Sequence, residues 1–431
     1  MTTLILIVFV IGYTLITLEH PIRLNKTATA LITGVLCWTI YILSVPETEP
    51  VLAELGHHLT DIAQILFFLM GAMTIVELID IHDGFSIITD RIASRNARLL
   101  LWLICGLTFF LSAMLDNLAS AIVMVSVTRK LVKDPEQRRL MAGMIIIAAN
   151  AGGAWSPIGD VTTTMLWIGG QVTTMNIISQ LFLPSLVGLL VPLLWLTFTI
   201  KPTAETEVAT NKKGISRPYV TPLHRRDRAT MFYTGLTAIL LVPIFKTITH
   251  LPPYMAMMLA LGAVWVVSEV IHADKDEEHR QRFTAAYALS KIDIPSIMFF
   301  LGILLAVGTL EATGILQDIA TSLNETVGDL DVIILIIGLA SAIVDNVPIV
   351  AAAMGMYDLT TYPADAKIWE LLAYSAGTGG SLLVIGSAAG VAVMGMEKLE
   401  FGWYLRRISG LAFLGYVAGA LTYFGIYGLT H

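Results

Sequence analysis

Apolar runs of near-membrane length alternate with short polar connections from one end of the chain to the other. A helix needs about 20 largely apolar residues to cross a bilayer. On that measure spans are predicted at about 3–18, 27–45, 62–80, 140–169 and 178–200, then at about 230–248, 253–271, 294–310, 369–393 and 408–427. Two further apolar segments, about 99–130 and 332–356, differ because each carries an Asp-Asn pair in its middle: Asp116-Asn117 and Asp345-Asn346. Arg91, Arg95 and Arg98 precede the first of these segments, and Arg129, Lys130 and Lys133 follow it. Basic flanks at both ends predict a re-entrant hairpin that enters and leaves on the cytoplasmic side. Its tip then lies at membrane depth, where non-helical backbone is tolerated only inside protein or beside water.

Charge sorting supports this layout. With five full spans in each half, both termini lie outside, and all Lys and Arg except Lys246 and Lys367 fall on inner segments. Seven of them sit in the connection 201–229: Lys201, Lys212, Lys213, Arg217, Arg225, Arg226 and Arg228. The outer connections are acidic, with Glu47, Glu49 and Glu54 early and Asp318, Glu325, Asp329 and Asp331 late. If either hairpin were a full crossing, this bias would collapse.

The halves repeat. Leu66-Phe-Phe-Leu69 returns as Met298-Phe-Phe-Leu301, Ser112…Asp116-Asn117 as Ser341…Asp345-Asn346, and Gly152-Gly153…Ile158-Gly159 as Gly379-Gly380…Ile385-Gly386. Three blocks in one order at nearly one offset mark a duplication. An odd number of spans turns the second copy upside down, which puts a binding site near the midplane between the repeats. The predicted fold is thus all-α and polytopic. It has a first repeat over 1–200, a basic cytoplasmic linker over 201–229 and a second repeat over 230–431.

Composition agrees: 56% of the 431 residues are hydrophobic, 14% are charged, and the mean hydropathy is +0.76. Soluble domains carry about 25% charged residues. Residues 1–18 lack a basic start and a small-residue cleavage site and read as a first span, not a signal peptide. The two cysteines, Cys37 and Cys105, suggest neither a disulfide nor a metal framework. With no nucleotide motif, no ATP coupling, cofactor or nucleic-acid partner is expected.

The chemistry lies where apolar segments are interrupted. A carboxylate at the membrane centre costs roughly 2.5–3.5 kcal/mol on insertion scales, yet Asp116 and Asp345 stand there in matching frames. Their partner segments are broken by Asn150-Ala-Gly-Gly-Ala-Trp-Ser-Pro-Ile-Gly-Asp160 and by Ser375-Ala-Gly-Thr-Gly-Gly-Ser381, since Gly and Pro interrupt the helical hydrogen-bond ladder. Sodium is a hard cation that prefers oxygen ligands. The sequence offers Asp116, Asp160 and Asp345 as its carboxylates. Asn117, Asn150, Ser156, Thr162, Thr163, Ser341, Asn346, Ser375 and Thr378 supply further oxygens. The three acids repel one another when the site is empty, so proton and cation compete for the same oxygens. Glu77, with Asp80 and Asp83 beyond it, is a candidate for a proton path. Each feature also has a plainer reading. The acids can cap helices, the hydroxyls can satisfy freed backbone groups, and Ser112 and Ser341 can be small packing residues. His57-His58 reads as a solvated pair in an acidic outer loop, and Trp403-Tyr404 as an interfacial belt.

The Ser-Ala-x-x-Asp-Asn blocks at 112–117 and 341–346, with Asn150…Asp160-x-Thr162 and Ser375-x-x-Thr378, resemble NhaD-type sodium/proton antiporters. These belong to the ion-transporter superfamily, together with arsenite, citrate and dicarboxylate transporters. The resemblance covers essentially the whole chain. It implies two re-entrant hairpins, two discontinuous helices, a moving transport region and a scaffold region that forms a homodimer. It carries a binding role to Asp116, Asn117, Asn150, Asp160, Thr162, Ser341, Asp345, Asn346, Ser375 and Thr378. Dicarboxylate relatives place Ser where both tips here have Asp, which argues for a cation. The expected function is exchange of sodium, or lithium, for protons in a bacterial plasma membrane. An oxyanion or organic-acid transporter is the alternative. A passive channel and an intramembrane aspartyl protease stand further off, the latter because Ile158-Gly159-Asp160 lacks a Gly-x-Gly-Asp signature.

Overall fold

The computed structural model describes residues 1–89, 96–199, 225–274 and 280–430. Arg91, Arg95 and the linker up to residue 224 lie outside the described residues, as does the charged stretch 275–279. Among the described residues all regular structure is helical, and seven helices are long and apolar enough to cross a membrane. The remaining predicted spans are Thr2–Thr17 and two helices interrupted midway.

Both Asp-Asn segments are helix–turn–helix units. The first hairpin joins Ala97–Ser112 to Asn117–Leu131, and the second joins Leu330–Ala340 to Asn346–Met356. At 1.5 Å per residue the two 11-residue arms of the second hairpin each extend about 16 Å. That is half of the roughly 30 Å hydrocarbon layer, so neither arm crosses alone. The broken helices are Pro135–Ala154 with Val161–Ile168, and Lys367–Gly379 with Ala388–Glu397.

The matching sequence blocks make matching contacts between hairpin and broken helix. A Cβ at Gly152 would lie 2.2 Å from the carbonyl oxygen of Phe109, and one at Gly379 would lie 2.2 Å from that of Gly338. Only glycine lets the backbones approach so closely. Likewise Ser112 donates to the Ala149 carbonyl at 2.5 Å and Ser341 to the Ala376 carbonyl at 3.1 Å. The halves also interlock. Lys26–Leu43 packs on Ile294–Ala312 at Gly34 and Gly302, and Thr48–Ile81 packs on Pro253–Ile271 at Gly71.

Three local expectations are corrected. The span expected from residue 62 begins at Thr48, and its 34 residues run about 51 Å. His57 and His58 therefore stand on a helix and not in a loop. His57 pairs with Asp61 at 3.1 Å one turn on, and His58 lies against Trp38. The connection expected between the second-half span and its hairpin contains a helix, Ile315–Val327. Tyr404 is buried at 1% exposure, and its hydroxyl donates to the Ser381 carbonyl at 2.8 Å. It holds the second helix break instead of lining an interface. The two lysines that broke the charge rule are each engaged locally, Lys246 on the Trp167 carbonyl at 2.8 Å and Lys367 on Asp331 at 2.5 Å.

Candidate functional site

Every interrupted helix exposes unpaired N–H groups where its second arm begins, and those groups need acceptors. The sequence supplies a side-chain cap at each of the four restarts. Asp116 accepts from Ala119 N at 2.7 Å, Asp345 from Val347 N at 3.3 Å, Asp160 from Thr162 N at 3.1 Å and Ser387 from Gly390 N at 3.2 Å. Helix starts carry partial positive charge. Three carboxylate caps reverse the local sign and leave the centre acidic.

The four restarts meet in one buried hydrogen-bond cluster. Asn117 and Asn346, the first residues of the hairpins' second arms, are 5% and 3% exposed, and Asp160 is 2% exposed. Asn117 Nδ2 donates to Asp160 Oδ2 at 2.7 Å and to Asn150 Oδ1 at 3.1 Å. Asn346 Nδ2 donates to the same Asp160 oxygen at 3.3 Å. Asn150 Nδ2 donates in turn to Ser381 Oγ at 2.9 Å and Ser387 Oγ at 3.0 Å. Asp160 is thus touched by both hairpin tips, and Asn150 ties one helix break to the other.

An isolated buried carboxylate is costly unless it is paired and hydrogen-bonded. Among the described residues no Lys or Arg pairs with Asp160; neutral amides and backbone N–H groups surround it. The Thr162 hydroxyl is buried beside it without a hydrogen-bond partner among the described residues. Carboxylate, amide and hydroxyl oxygens form a hard donor set suited to a small cation.

The acids at the tips stand apart from this centre. Among the described residues no three His, Cys, Asp or Glu side chains gather closely enough to hold a metal ion together. Asp116 and Asp345 each precede the asparagine that reaches Asp160. Asp116 also has φ 142° and ψ 166°, a region almost confined to glycine. Asp345 turns toward Lys26, whose Nζ lies 3.6 Å from Oδ2.

Other expected site residues are engaged with backbone. Ser156 donates to the Ala113 carbonyl at 2.6 Å, Thr163 to Asp160 O at 2.9 Å, Ser375 to Leu371 O at 2.6 Å and Thr378 to Tyr374 O at 2.6 Å. The Ser156 bond ties the first break to its hairpin, and the other three stay within their own helix turn. Glu77 is half-buried on Thr48–Ile81, about one turn from that helix's end. Sequence reasoning did not select Ser381, Ser387, Tyr404 or Lys26. Ser387 stands where the repeat answers Asp160, which was a usable signal; nothing local marked Tyr404 or Lys26.

Comparison with known proteins gives the family. Residues 6–377 match the family described as citrate transporter. The chain is 48% identical over 98% of its length to sodium/proton antiporter 1 of Arabidopsis thaliana, covering 72% of that protein. It is 32% identical over 96% of its length to the Na(+)/H(+) antiporter NhaD of Vibrio cholerae, covering 89% of it. Among solved structures, the Alcanivorax borkumensis YdaH transporter, described as having an unusual topology, superposes with a TM-score of 0.56 at 12% identity. That match covers 94% of this chain and 99% of the other and speaks to fold alone. The chain belongs to the NhaD-type sodium/proton antiporters within the citrate-transporter family, and it is an integral membrane transporter, not an enzyme.

Proposed function

We propose that this chain exchanges sodium, with lithium as a second substrate, for protons. The observation that carries the reading is the Asp160 carboxylate, held by an Asn from each hairpin tip and by no fixed cation among the described residues. Such a group at membrane depth needs a mobile positive charge. A proton and a sodium ion satisfy it equally in charge and exclude each other, because they use the same oxygens. Competition for one carboxylate then gives exchange without a separate proton wire.

The remaining parts fit that role. Asn117, Asn150, Asn346 and Thr162 offer oxygens beside Asp160, and Asp116 keeps the surroundings negative, as Asp345 does once it is free of Lys26. Ser156, Thr163, Ser341, Ser375 and Thr378 hold the backbone that frames the site. Glu77 lies on a route for protons. The hairpins and broken helices move as one body, elevator-like, past a scaffold that pairs two copies in the bilayer. The two halves, 1–200 and 230–431, are inverted repeats about this site, with the linker 201–229 inside and both termini outside a bacterial plasma membrane.

An organic anion is the second reading, because the matched family is described as citrate transporter. Helix starts do attract anions, but three of the four here are closed by aspartate. Vesicles containing the purified chain and a pH-sensitive dye test the choice. Sodium is expected to drive proton movement in the unsubstituted chain, and Asp160→Asn to abolish it while the protein remains inserted and monodisperse. Labelled citrate uptake with no sodium-driven proton movement would overturn the reading.

A further inference from the structure

Besides the Asp160 cluster, one ion pair joins the moving tip of the second hairpin to a helix outside the hairpins. A cavity of about 450 Å³ is lined by Tyr13, Thr17, Glu19, Lys26, Phe299 and Asp345, among others. Within it Lys26 Nζ lies 3.6 Å from Asp345 Oδ2, with side-chain exposures of 25% and 16%. The same ammonium sits over the Phe299 ring, 4.6 Å from its centroid.

The position of Lys26 is unusual for a cation. It is the first residue of the helix Lys26–Leu43, where the helix dipole disfavours positive charge. Asp345 and the face of Phe299 offset that cost. Glu19 holds the backbone there, accepting from Lys26 N at 3.2 Å. The helix is fixed against Ile294–Ala312, where Gly34 and Gly302 bring the two backbones together and Trp38 donates to the Leu305 carbonyl at 2.9 Å. Asp345, in contrast, belongs to a hairpin tip whose neighbour Asn346 reaches Asp160. The pair therefore bridges the body that carries the site and the body that stays behind.

We propose that Lys26 is a tethered counter-cation for Asp345, a positioning residue that holds the second tip at this face and competes there with sodium. The inference rests on the exchange reading above and adds a direction to it. While the tip stands here, Asp345 is already neutralised, and an arriving sodium ion must displace the ammonium before the acid can help to attract it. When the tip moves to the opposite face, Lys26 remains with its helix, and the competition ends. Asp116, the matching acid of the first tip, has no such lysine among the described residues.

The test is sodium-driven proton flux measured from each face, in vesicles of both orientations. Lys26→Met and Lys26→Gln are expected to lower the half-saturating sodium concentration about two- to fivefold at the face this cavity opens to, the scale of a partly exposed ion pair. The value at the other face is expected to stay unchanged, and Lys26→Arg to behave as the unsubstituted chain. Unchanged half-saturation at both faces, or the same fall in Lys26→Arg, would overturn the proposal. A second measurement uses the unsubstituted chain, so it does not depend on a variant folding. Acylation of Lys26 by a membrane-impermeant active ester, read by mass spectrometry, is expected to speed up when sodium replaces choline in the buffer. A rate indifferent to sodium would count against the pair. Absent sodium-driven flux in the unsubstituted chain would fail the exchange reading itself, while the acylation rate would still report on Lys26.

Discussion

The two hairpin tips share Ser-Ala-x-x-Asp-Asn and put those residues to different uses. In the first tip Asn117 reaches two acceptors, Asp160 at 2.7 Å and Asn150 at 3.1 Å, and Asp116 lies in a backbone region that glycine favours, at φ 142°. In the second tip Asn346 reaches Asp160 alone at 3.3 Å, Asp345 has an ordinary φ of −44°, and its carboxylate meets Lys26. The breaks facing the tips diverge as well, with Asp160 in one and Ser387 in the other. What stayed equal is the framework: a Cβ at Gly152 or at Gly379 would lie the same 2.2 Å from a hairpin carbonyl oxygen. So close a backbone approach leaves room only for glycine, and both hairpins have it. Charge could not stay equal, because a second aspartate at Ser387 would place another desolvated acid on Asn150's amide. The result is one carboxylate, Asp160, to which the second tip adds a neutral amide.

The largest difference is expected between the two asparagines. Asn117→Ala removes two hydrogen bonds, one of them to a carboxylate, a bond type worth about 1.5–3 kcal/mol. The exchange rate in vesicles should fall about 10- to 100-fold. Asn346→Ala removes one longer bond and should cost about three- to tenfold. Equal losses would mean that the tips contribute alike to Asp160, and the comparison would break.

A smaller and symmetric effect is expected in the framework. Gly152→Ala and Gly379→Ala each press a methyl group onto a carbonyl that belongs to a hairpin's first arm. Neither clash can be relieved by rotating a side chain, and overpacking of this kind costs about 1–3 kcal/mol. Thermal unfolding of the purified chain should fall by a similar amount in both variants. A large loss in one and none in the other would show that the halves do not share their packing.

Much of this architecture was legible because the residues concerned are adjacent in sequence or repeated. Asp116-Asn117 and Asp345-Asn346 stood out as acids in apolar runs, and the glycine blocks announced the helix breaks. The tip positions followed to within the turns 113–116 and 341–345. What stayed hidden depends on three-dimensional approach. Nothing in the sequence said that Asn117 and Asn346 would share one oxygen of Asp160. The three acids looked equivalent by residue type; all three cap a helix, and folding brings the asparagines of both tips to Asp160 alone. Tyr404 looked like an ordinary aromatic at a span end, and Lys26 like one more basic residue on a short connection. Their partners, Ser381 and Asp345, lie far along the chain.

The smallest effect has opposite signs at the two tips. Replacing an aspartate cap by glycine costs only a few tenths of a kcal/mol in the cap itself, and the freer unfolded chain adds about 0.5–1 kcal/mol. At residue 345 nothing offsets these losses, and the contact with Lys26 goes as well. Asp345→Gly should therefore destabilise by about 1 kcal/mol. At residue 116 glycine relieves a conformation whose cost to another residue is about 1–3 kcal/mol, so Asp116→Gly should leave stability unchanged or raise it by about 1 kcal/mol. Thermal unfolding of the purified proteins, compared in one buffer, reads the difference directly. A loss of equal size in both would mean that Asp116 sits in a relaxed backbone. The first tip would then differ from the second only in which side chains it reaches.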